Sequence, residues 1–233
     1  MATPRQLVEA VAEAFSVPVE TVIAHDRTLA DAGFRTKGGR GLSAAKMTAR
    51  DAAHLLLSVA ATPLRGPSIK EAATYLSINS ALNPSVAIVT SPSGTPNDRT
   101  FVLPDTRWWV GRVPMEPLLS LGTQHTAADA IEALLESINS VPDDHPGEIW
   151  DMLVTVSDPV PEVEICVTGQ SVDGVGFTEN HYYSLAAPTK IFEPRTERIT
   201  PYFWRYPIRT RLTQSRTFNF DALRLVAAAL AGE

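Results

Sequence analysis

LVEAVAEAFSVPVETVIAHDRTLADAGFRTKGGR, residues Leu7 to Arg40, decides how this chain is read. Its first half carries an apolar face of Leu7, Val8, Val11, Ala12 and Phe15 at helical spacing. A start signal precedes it: Thr3 as N-cap, Pro4 at the first helical position, and Gln6 placed to close a capping box. Ser16 and Val17 interrupt the run, and Pro18, whose φ already suits a first turn, restarts it. The second helix runs to about Ala32. Gly33 ends it, because glycine takes the left-handed conformation at a helix C-terminus without a Cβ penalty.

Charge is sorted along the stretch and beyond it. The second helix carries Glu20, Asp26 and Asp31, whereas Arg35, Lys37, Arg40, Lys46 and Arg50 follow with no acidic residue between Arg35 and Arg50. A glycine-rich loop of this composition can lie along a phosphate backbone, its main-chain N–H groups approaching closely. The same composition also suits a solvated loop between two helices.

Two helices, a tight turn and a basic glycine loop resemble the winged helix-turn-helix family. Members carry a small residue inside the first helix, a tight turn four residues on, Thr-Val in the second helix, then Arg, Leu and Ala-Gly-Leu before the wing. Ala12, Ser16, Thr21, Val22, Arg27, Leu29, Ala32, Gly33 and Phe34 fall on those positions, so the resemblance covers about a quarter of the chain. It implies DNA binding through Thr21, Arg27, Arg35, Lys37, Gly38, Gly39, Arg40 and Lys46. The continuation GGRGLSAAKMTARDAAHLLLSV is similar to proteins of proteobacterial phages and prophages, a likeness that suggests a context and no activity; within that context the DNA-binding resemblance implies a regulator of transcription or an accessory to DNA processing. The chain departs from the pattern at Ile23 and Ala24, where such regulators often place polar or basic residues, and at Asp26, where an apolar one is usual. With its three carboxylates the second helix is a poor partner for phosphate, which argues against base readout through it. A protein-interaction module built on the same scaffold, without nucleic acid, is the alternative.

Beyond the loop, Thr48 and Asp51 have capping-box spacing ahead of a helix whose wide apolar face includes Ala52, Leu55, Leu56 and Val59. His54 on it reads as a core-edge residue. Ser68 with Glu71, Thr126 with Asp129, and Asn219 open three further helices, and Glu132 and Glu136 read as a solvated acidic face. Strands are expected at Val86–Val89, at Leu153–Ser157, through the alternating Val163, Ile165 and Val167, at Phe177–Leu185, and at Lys190–Phe192. Short links make the later strands antiparallel. Trp108 and Trp109, flanked by Arg107 and Arg112, cannot share a face if they lie on a strand. Between Arg195 and Arg216, arginines interleave with Tyr202, Phe203, Trp204 and Tyr206, a composition found both in nucleic-acid stacking and in protein interfaces.

The expected fold class is therefore α+β: a winged-helix-like helical domain over residues 1–80, then a body over 81–233 with an antiparallel sheet and a C-terminal helix. At 233 residues, 44% apolar and 20% charged, the chain can bury a real core. No stretch approaches the roughly 20 apolar residues of a membrane span, so no membrane association and a cytoplasmic location are expected. The single Cys166 excludes an intrachain disulfide and a cysteine-built metal site. No phosphate loop, nucleophile or metal cluster stands out, so no catalytic residue, metal or cofactor is assigned, even though His181, Tyr182 and Tyr183 cluster in sequence. The net charge is −6, and thirteen acidic residues lie between Val113 and Thr189 with no lysine or arginine among them. Such sorting suits a basic head on an acidic body, and head-to-tail self-association equally. Winged-helix regulators commonly act in pairs, and the aromatic-arginine segment and the alanine-rich last helix have the composition of interfaces, so a homodimer or higher oligomer is the expected assembly, the alternative being that this helix caps the sheet of its own subunit.

Overall fold

The computed structural model describes residues 2–38, 45–62, 66–78, 80–90, 99–102, 118, 121, 125–138, 148–158, 161–170, 176–184 and 214–232. These form six helices and six strands: α1 (Pro4–Ala14), α2 (Val19–Ala32), α3 (Ala49–Ala61), α4 (Ile69–Leu76), β1 (Ser80–Thr90), β2 (Arg99–Val102), α5 (Ala127–Ile138), β3 (Glu148–Asp158), β4 (Glu162–Gln170), β5 (Gly176–Ser184), β6 (Gln214–Asn219) and α6 (Phe220–Ala231). The class is α+β, as expected.

Helix starts follow local chemistry. Thr3 Oγ1 accepts from the Gln6 amide at 3.3 Å while Gln6 Oε1 accepts from the Thr3 amide at 2.9 Å, a closed capping box. Thr48 with Asp51 and Thr126 with Asp129 repeat the device, and Asn219 Oδ1 accepts from the Ala222 amide at 3.1 Å. Each such cap stabilises its helix by about 1 kcal/mol. Pro18 is itself the N-cap, with φ −58° and ψ 138°, so α2 begins one residue later than the proline pattern predicts. Gly33 closes α2 at φ 83°, and the Phe34 amide reaches back to the Leu29 carbonyl at 2.9 Å.

The strands make one antiparallel sheet of order β2-β1-β5-β4-β3-β6. Alternation sorts its faces. Met152, Val154, Val156, Val163, Ile165 and Val167 are buried, whereas Asp151 and Leu153 are exposed and Glu162, Glu164, Cys166 and Thr168 lie half-exposed on the other face. β1 is longer than the expected Val86–Val89, and Pro84 falls inside its register shift between Ser80 and Ser85, where a missing N–H breaks no ladder bond. β6 was hidden in the sequence by the arginine-aromatic run that leads into it. The Lys190–Phe192 strand, the Trp108–Trp109 pair and residues 195–213 lie outside the described residues.

The helices cover the apolar face. α3 is the centre: from Asp51 to Ala61 only His54 is not fully buried, because α2, α4, α5 and β3 all pack on it. Arg216 of β6 donates to the carbonyls of Ala60 and Ala61 at 3.0 and 3.3 Å, placing a cation at the negative end of that helix. Tyr75 Oη donates to the Ser157 carbonyl at 2.6 Å, and burial pushes its phenol up to about 12. α4 ends and β1 begins near the expected division at residue 80, yet packing continues across it. α1 lies against α6, Phe15 meets Phe218 edge-on at 5.2 Å, and one apolar core runs from Leu7 through Leu56 and Val154 to Val226.

Candidate nucleic-acid interface

The turn between α1 and α2 is built on a left-handed residue. Ser16 has φ 52°, uncommon for any residue but glycine, and the Val17 amide bonds to the Ala12 carbonyl at 3.0 Å. This places α2 across α1 with Val22, His25, Asp26 and Leu29 facing inward. Glu20, Arg27 and Asp31 are left on its exposed side, together with the half-exposed Thr21, Ile23 and Ala24.

Three polar contacts then fix the chain as it leaves α2. His54 Nδ1 donates to the Phe34 carbonyl at 2.6 Å, with the two rings edge-on. The Asp51 carboxylate divides its work: Oδ2 accepts from the amide and hydroxyl of Thr48, closing the α3 cap, while Oδ1 accepts from the Thr36 amide at 2.7 Å. Arg35 folds back on Asp26, with Nε 2.7 Å from Oδ1 and Nη2 donating to Oδ2 at 3.0 Å. Only 16% and 10% of those two side chains reach solvent. Burial pushes the Asp26 carboxyl up from the usual range, and Arg35 beside it draws it partly back. The returning limb is tied as well, since the Met47 amide donates to the Ala2 carbonyl at 2.9 Å.

Between the two limbs the backbone closes at a neck. A Cβ added to Gly38 would sit 2.6 Å from the Ala45 Cα and 2.8 Å from its Cβ, so only glycine permits this approach. Lys37 and Lys46 flank the neck, and both are exposed.

The eight residues expected to contact DNA therefore part company. Lys37, Gly38 and Lys46 come together at the neck. Arg27 is exposed on α2, Thr21 is half-buried, and Gly39 and Arg40 lie outside the described residues. Arg35 serves as the buried partner of Asp26. Arg50, the last cation of the run, reaches Asp129 at 2.6 Å and Glu132 at 2.9 Å on α5. The acidic face read on α5 is thus partly an ion-pair surface, with Asp129 held below its ordinary value because bonds from Thr126 and Arg50 outweigh burial. Comparison with protein-family models, curated proteins and solved structures finds no match.

Sequence reading missed His25. Its imidazole is fully buried, Nδ1 lies 2.9 Å from Ser58 Oγ, and burial lowers it to about 4, so it is neutral in the core. A periodic apolar pattern with a histidine on its inner face was the available signal. His125 and Tyr183 form another buried pair, Nε2 to Oη at 2.9 Å. Among the described residues no three His, Cys, Asp or Glu side chains converge as a metal-binding group, and no helix is long and apolar enough to cross a membrane. A shallow groove of about 320 Å³ lies between Phe15, Ser16, Leu153, Thr217 and Phe218, with no charged side chain among its described lining residues.

Proposed function

We propose that this chain binds double-stranded DNA, with the basic neck after α2 as its contact. The observation that carries this reading is the pairing of Lys37 with Lys46 across the Gly38–Ala45 approach, on two limbs anchored by Asp26, Asp51, His54 and the Ala2 carbonyl. Cations carried on an anchored backbone forgo less loop freedom on binding than cations on an unanchored loop. The left-handed turn at Ser16 and the helix-loop order agree with the resemblance to winged helix-turn-helix regulators, and on that basis the role is that of a regulator or an accessory to DNA processing.

The test is a titration of the full chain with mixed-sequence duplex fragments over a salt series. Saturable binding at low salt that weakens steadily as salt rises is expected. No binding at low salt would move the assignment to a protein-interaction module. That second reading has its own support: the exposed side of α2 offers Glu20 and Asp31 against the single Arg27, with Val19 37% exposed at its start. A single small head gains affinity by duplication, so the reading includes a homodimer. Sedimentation equilibrium giving only the monomer mass of 25.2 kDa at micromolar concentration would remove that part.

A further inference from the structure

Resting on the DNA-binding reading, we infer that the chain engages duplex DNA through its phosphates alone, without preference for base sequence. The fate of the individual cations leads there. A base-reading protein needs forked or amide side chains on an element that enters a groove, above all arginine bidentate to guanine and asparagine or glutamine bidentate to adenine. Both arginines that the structure describes in the basic run are consumed internally. Arg35 is closed on Asp26, and Arg50 is divided between Asp129 and Glu132.

Among the described residues, what remains exposed at the neck is lysine. Lys37 and Lys46 make no ion pair among the described residues, and an ammonium is a compact, strongly hydrated point charge that fits any phosphate. α2 cannot supply the missing readout. Its inner positions are fixed by Val22, His25, Asp26 and Leu29, so the helix cannot turn a different face outward without unburying them. Of the three charged residues on its outer side, Glu20 and Asp31 would meet the phosphates flanking a groove, leaving Arg27 as the lone cation. Contacts of this kind fix position on the duplex and carry no base information.

Selection from a pool of short duplexes with a randomised core tests this, using the full chain at low and moderate salt, followed by anisotropy titration of unrelated duplexes. The expected result is no enriched motif and affinities that agree within about three-fold, where a base reader loses about five-fold or more at each wrong base pair. The double variant Lys37→Ala, Lys46→Ala should keep the melting temperature and lower the slope of log affinity on log salt by about 1.8, two contacts at about 0.9 each. An enriched motif bound ten-fold or more tightly than random duplex overturns sequence independence and leaves DNA binding standing. An unchanged slope in the double variant removes the lysines from the contact. Failure to bind any duplex overturns the DNA-binding reading itself, and this inference with it.

Discussion

The helical layer and the strand pair β3–β4 handle polar groups in opposite ways. In β3 and β4, charge is kept off the core: these strands turn aliphatic side chains inward and leave Asp151, Glu162 and Glu164 on the far face, while the neighbouring β5 buries His181 and Tyr183. In the helices, Asp26, Asp51 and His25 are buried and His54 is half-buried, each meeting a named partner in Arg35, Thr36 and Thr48, Ser58, or Phe34. Three of these four contacts fall on the limb leading to the neck or on its anchor. Buried polarity is costly unless it is paired, so the group of contacts beside this loop points to positioning as its role, whereas β3 and β4 serve as an apolar floor.

Breaking the helical polar contacts should therefore cost more than changing charge on the sheet. The largest effect is expected from Arg35→Ala, which leaves Asp26 buried without its cation. A loss of about 3 kcal/mol in chemical denaturation is expected. A loss under about 0.5 kcal/mol, the usual size for a surface change, would reduce the pair to a surface contact.

Acid should also separate the two regions. His25 takes a proton near pH 6.5 when unfolded but only at about 4 when folded, so the unfolded chain binds more protons between those values. Stability is full above pH 6.5 and is lost as pH falls toward 4, by about 3 kcal/mol from this group, with none added below. His54, also lowered chiefly by burial, acts in the same direction, while Asp26, raised by burial, opposes them as pH falls toward its unfolded value. His25→Gln should flatten the fall between pH 6.5 and 4 even if its plateau is lower. A slope identical to that of the parent would show that the imidazole is not held neutral.

The neck itself gives a smaller, local effect. Gly38→Ala places a methyl group inside the Ala45 backbone contact and should weaken DNA binding by about ten-fold, about 1.4 kcal/mol, with little change in thermal unfolding. Unchanged affinity would mean that the closeness of the two limbs is irrelevant to binding. Smallest of all, Glu164→Gln, half-exposed on the far face of β4, should change stability by less than about 0.5 kcal/mol, and a larger loss would show that this carboxylate holds a structural contact.

How far the sequence was legible follows the same division. Caps at Thr3, Thr48, Thr126 and Asn219 depend on residues three apart, and all four could be read. So could the alternation through Val163, Ile165 and Val167, since one buried face imposes a period of two. What stayed hidden was set by distance along the chain. Asp51 could be read as a cap, but not its second oxygen's hold on Thr36, fifteen residues earlier. Arg35 looked like its basic neighbours because nothing local marks Asp26, nine residues back, as its partner. Arg216 looked like the end of an aromatic-arginine segment, and only the pairing of β6 with β3 brings it to the end of α3.

Amide hydrogen exchange of the full chain with and without duplex DNA tests the central claim most directly. New protection at Lys37, Gly38, Ala45 and Lys46, with α2 from Val19 to Ala24 and strands β3 and β4 unchanged, is the expected result. Protection that appears at the start of α2 and not at the neck, or on the open face of the sheet, would contradict it.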